Sequence, residues 1–107
     1  MVHDEFLSVV EKCRSQRGAL TVVREAGRLL EKTPYALGQV EKLIQDWSKP
    51  VPLDRAVRLA LQILDGEDPA LPGVAHAKDL LSALLLATGE RAAEHERQKS
   101  RNHKPTP

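Results

Sequence analysis

The residues of this chain that could carry chemistry are few and scattered. Four histidines, His3, His76, His95 and His103, lie too far apart for metal-ligand spacing. A single cysteine, Cys13, cannot form a zinc knuckle or an intramolecular disulfide. A nucleophilic thiol needs a nearby base and an electropositive, partly exposed site. Cys13 instead falls on the inner stripe of an expected helix, while Lys12 and Arg14 point to other faces, so we read it as a small buried hydrophobe. There is no Gly-rich phosphate loop, no Gly-x-Ser-x-Gly and no His-Glu-x-x-His. These observations argue against an enzyme and imply no metal and no cofactor.

What remains is binding chemistry. Trp47 is the only tryptophan and Tyr35 the only tyrosine, and such residues are rich in interface hot spots. Leu80, Leu81, Leu84, Leu85 and Leu86 wrap most of one helix. A helix so apolar is either central in the fold or part of a dimer face. Tyr35, Trp47, Leu81 and Leu85 are therefore the expected contacts to another protein, with a second copy of the chain as one such partner.

Basic residues support a rival expectation, DNA binding. Between Lys12 and Lys32 there are six basic and two acidic residues, and between Arg97 and Pro107 four basic and none acidic. The segment from Thr21 to Trp47 could form a helix-turn-helix, with Tyr35, Gln39 and Lys42 facing a groove. Arg24 and Arg28, with Arg97, Lys99 and Arg101 of the tail, would touch phosphates. Against this, the turn lacks its usual glycine, and the second helix carries Glu41 and Asp46 against Lys42, with no arginine for guanine readout.

The elements that must position these residues read as helical. The chain has 107 residues, 41% hydrophobic, 29% charged and 3% aromatic, with a formal net charge of +1. That is enough for one core without disulfides or metal. The acidic N-terminus does not resemble a secretory signal. The most apolar run, Leu80 to Ala87, has eight residues, whereas a membrane span needs roughly 20. With its lone cysteine, the chain reads as a cytoplasmic protein that does not enter a membrane.

Apolar spacing predicts five helices and no strand. The first runs from Asp4 to Gln16, with Gly18 as the break. The second runs from a Thr21 cap to Lys32, and the third follows a Thr33 cap with Pro34 in its first position. Lys49-Pro50-Val51-Pro52 reads as an extended connection before a fourth helix capped by Asp54 and stopped by Gly66. The fifth spans Val74 to Thr88, with Gly89 as the stop. The expected organisation is one helical domain over 1–89, then a charged tail over 90–107, partly helical and finally disordered. An offset of 34 residues aligns Val23-Arg24 with Val57-Arg58, Ala26 with Ala60 and Leu30 with Leu64, a spacing found in stacked helical hairpins. The fold expected is all-α, either a five-helix bundle or a short hairpin array.

Overall fold

Where each helix begins is decided by residues that satisfy, or dispense with, backbone N–H groups. The computed structural model describes residues 3–30, 34–68, 70–71 and 73–102. It contains five α-helices: α1 His3–Lys12, α2 Gln16–Leu29, α3 Pro34–Gln45, α4 Pro50–Asp65 and α5 Val74–Asn102. No strand is present among the described residues.

Several starts and stops differ from the sequence expectation, among them the end of α2, which comes at Leu29 rather than Lys32. The first helix ends at Lys12, because Ser15 adopts an extended conformation and caps α2. Its hydroxyl accepts from the Gly18 N–H at 3.1 Å. Thr21 is not the cap; it lies inside α2, where its hydroxyl donates to the Arg17 carbonyl at 3.0 Å. Gly18 is likewise no helix break. It is buried in the first turn of α2, where a Cβ would stand 1.9 Å from the Lys12 carbonyl oxygen. Only glycine lets α2 fold back so tightly on the end of α1.

The prolines at 50 and 52 start a helix rather than an extended connection. Pro50 occupies the first position of α4, and Pro52 falls in the same first turn, where N–H groups have no intrahelical acceptor to lose. Asp54 is thus inside α4, and its carboxylate is free for other contacts. Gly66 follows the last residue of α4, as expected. Gly89 does not stop α5, which runs on to Asn102. One glycine in a helix costs about 1 kcal/mol, which good helix formers and packing on both sides offset. Against the disorder expected after Ser100, Arg101 and Asn102 still belong to α5; the Thr33 cap and residues 103–107 lie outside the described residues.

Four of the helices close into a ring. α2 packs on α3, α3 on α4, α4 on α5, and α5 back on α2. Among the described residues the backbones of α2 and α4 do not approach each other closely, nor do those of α3 and α5. Ring neighbours are antiparallel. The Gln16 amide, at the start of α2, donates to the Ile44 and Gln45 carbonyls at the end of α3, at 2.9 and 3.0 Å. Thr88 donates to Asp54 at 3.1 Å, and Lys78 pairs with Asp65 at 3.3 Å, aligning α5 against α4. The two helices related by the 34-residue offset therefore occupy opposite corners and do not stack. Closure by α2 and α5 makes the fold a bundle rather than an open array.

α1 lies outside the ring, chiefly against α5. This explains why α5 is apolar on so many sides: α1, α2 and α4 all pack on it. Leu81, Ala83 and Leu84 have no exposed surface. Val22, Val23, Ile44, Leu53, Val57 and Leu64 complete the interior. Burying each such side chain contributes about 1.5–3 kcal/mol against the cost of ordering the chain. Among the described residues no helix is long and apolar enough to cross a membrane.

Candidate interaction surfaces

The structure separates the side chains that the sequence grouped as a protein-binding set. Leu81 has no exposed surface and is part of the core, so it offers nothing to a partner. Leu85 is half-buried. Tyr35 belongs to α3, but its side chain lies outside the described residues. Trp47 lies beyond the end of α3, in the turn before α4, and is half-buried. The exposed leucine of α5 is Leu86, 44% accessible.

Leu86 lies in an open trough on α5, between α1 and α4. Phe6 forms one wall and Arg58 the other, while Ser82, Leu85, Leu86, Gly89 and Ala93 line the floor. The trough exists because α1 and α4 flank α5 without meeting each other among the described residues. Charges of both signs stand at its rim. Arg58 is held by Asp54 at 3.0 Å, and Glu90 pairs with Arg14 at 3.3 Å. Asp54 also accepts from the buried Thr88 hydroxyl, so the one carboxylate positions the arginine and satisfies a polar group of the core.

Trp47 meets a residue that sequence reasoning placed in the tail. The Arg91 guanidinium lies 4.1 Å from the centre of the Trp47 ring, and Arg91 also donates to the Trp47 carbonyl. This cation–π contact ties α5 to the turn between α3 and α4. Burial lowers the Arg91 pKa from its ordinary value, yet an arginine remains cationic at neutral pH. Its second terminal nitrogen, Nη1, is buried without a hydrogen-bond partner. Arg91 follows Leu84 by seven residues and Ala87 by four, which puts it on the inner face of α5. That spacing was the available signal, hidden by reading Gly89 as a stop.

The residues named for nucleic acid are spread over three helices, α2, α3 and the end of α5. α2 and α3 make an antiparallel hairpin in place of the wide-angle pair of a helix-turn-helix. Arg24 is already paired with Glu41 of α3 at 2.6 Å, and Arg97 with Glu94 at 2.6 Å. Arg28, Lys42 and Lys99 are exposed and Gln39 is half-buried, while the side chain of Arg101 lies outside the described residues.

No group of titratable residues suited to a metal ion is found among the described residues. Cys13 is 1% exposed, and burial pushes its thiol up to about 12, outweighing the opposing Lys12 charge. A thiol so protonated is a poor nucleophile. Compared with known proteins, the chain matches no family model, no curated protein and no solved structure.

Proposed function

We propose that the protein is a non-enzymatic interaction module, an adaptor, scaffold or chaperone-like subunit, that docks another protein in the trough along α5. The observation that carries this reading is Leu86, 44% exposed on a floor shared with Leu85 and Ala93 and walled by Phe6. An apolar strip with a charged rim has the anatomy of a protein interface. A second copy of the chain is one candidate partner. The single buried thiol suits a reducing compartment, so the proposed site of action is the cytoplasm.

A photo-crosslinking amino acid at position 86 tests this in native lysate, with the same group at the exposed position 62 of α4 as control. Discrete protein adducts at 86 and none at 62 are expected. Equal labelling at both positions, or none at 86, would sink the reading. Adducts of twice the chain mass would identify the partner as a second copy.

A further inference from the structure

A second surface, independent of the trough, lies between α2 and α3. Arg17, Thr21, Arg24 and Arg28 recur at spacings of four, three and four, which aligns them along one side of α2, and all four are exposed. The last three edge an open groove whose floor includes Gly27, Leu37 and Gly38. Glu41, on the opposite wall, neutralises Arg24. No ion pair joins Arg17 or Arg28 to any described residue, so uncompensated positive charge stands at one end of the groove, at Arg28, and one helical turn beyond the other, at Arg17.

The glycines of this groove are not required by the fold. A Cβ at position 27 would stand 3.8 Å from Leu37, an ordinary contact, and one at position 38 would meet nothing within 4 Å. No close crossing of helices needs them. They leave the floor low enough for another backbone to approach.

We propose that this groove binds an acidic amphipathic helix of a partner protein. Charge complementarity fixes the occupant. Arg17 and Arg28 are separated by eleven residues, about 16 Å along α2. Two carboxylates eleven residues apart on a helical partner return to nearly the same face at that same separation. Small or apolar residues between them would lie over Gly27 and Gly38 in ridge-and-groove fashion. A helix suits the site better than an extended peptide, because no strand among the described residues offers an edge to extend. A protein suits it better than nucleic acid, because with Arg24 paired to Glu41 only Arg17 and Arg28 are uncompensated, too few and too widely spaced to follow a continuous phosphate chain.

The test selects a displayed library of 16-residue helical peptides on the full chain and measures the selected peptides by fluorescence anisotropy. The expected binders carry Asp or Glu eleven positions apart. Their affinity falls at least about tenfold in the double variant Arg17→Glu/Arg28→Glu and in Gly38→Leu, while Leu86→Glu leaves it unchanged. Thermal melts show the groove variants folded, since position 38 opens onto free space. The proposal is overturned if no paired acids are enriched, if binding ignores the groove substitutions, or if Leu86→Glu abolishes it. It is equally overturned if mixed-sequence duplex DNA binds in an arginine-dependent way where no acidic peptide does.

Discussion

The α1–α2 corner and the groove between α2 and α3 share one helix, and each contains glycine. At the corner, Gly18 is compulsory: the Lys12 carbonyl occupies the space that a side chain would need. In the groove, Gly38 faces open space and Gly27 makes no contact a methyl would disturb. The corner spends its glycine on making the fold. In the groove the glycines weaken the helices and give the fold nothing in return. A residue that costs stability without an internal reason directs attention outward.

Substitutions can break this contrast or sharpen it. The largest effect should come from Gly18→Ala, which forces the corner open and disturbs the Ser15 cap; we expect a loss of about 3 kcal/mol or more in urea unfolding. A loss under about 1 kcal/mol would mean the corner relaxes freely. Gly73→Ala comes next. Gly73 precedes α5 at φ 85°, with its Cβ position 2.8 Å from the Leu29 carbonyl oxygen. A left-handed backbone costs other residues about 1–2 kcal/mol, and the close carbonyl adds to it. Gly38→Ala should act in the opposite direction and stabilise by up to about 1 kcal/mol, read as a higher melting temperature. Destabilisation there would show the groove to be closed.

The effect that is smallest at neutral pH, and grows only in alkali, concerns Cys13, just before the Ser15 cap. The folded state holds its proton up to about 12, against an ordinary value of 9.0. Folding therefore binds this proton more tightly. The resulting stability is fully present below pH 9.0, declines as pH rises, and is lost through about 12. Comparing the urea midpoints of the parent chain and Cys13→Ala isolates this contribution from other titrations. The gap between them should shift against the parent as pH rises through that window; a gap independent of pH would show that the thiol ionises as easily folded as unfolded.

The number of helices and their inner faces were legible from apolar spacing alone. Val22 and Val23 of α2, and Val57 and Leu64 of α4, are apolar at helical spacing and are buried. Boundaries were less legible, because several residues compete for each cap. Ser15 and Thr21 carry the same hydroxyl, and only the fold-back at Gly18 favours the first. Pro50 and Pro52 read as breakers until placed in a first turn, where their missing N–H groups cost nothing. The binding surface was the hardest part. An all-round apolar helix such as α5 does not reveal which side its neighbours leave bare. Leu81 is enclosed by the packed core, whereas Leu86 falls in the gap between α1 and α4. The contact between Trp47 and Arg91 spans 44 residues, and periodicity within one helix cannot anticipate it.

Because α5 closes the ring and also receives α1, synthesis of the chain has a vulnerable interval. Until the stretch through Ala87 has emerged from the ribosome, α1, α2 and α4 lack the surface on which they settle. The nascent polypeptide must pass through that interval with its oily faces uncovered, and the emergence of α5 supplies the surface that covers them.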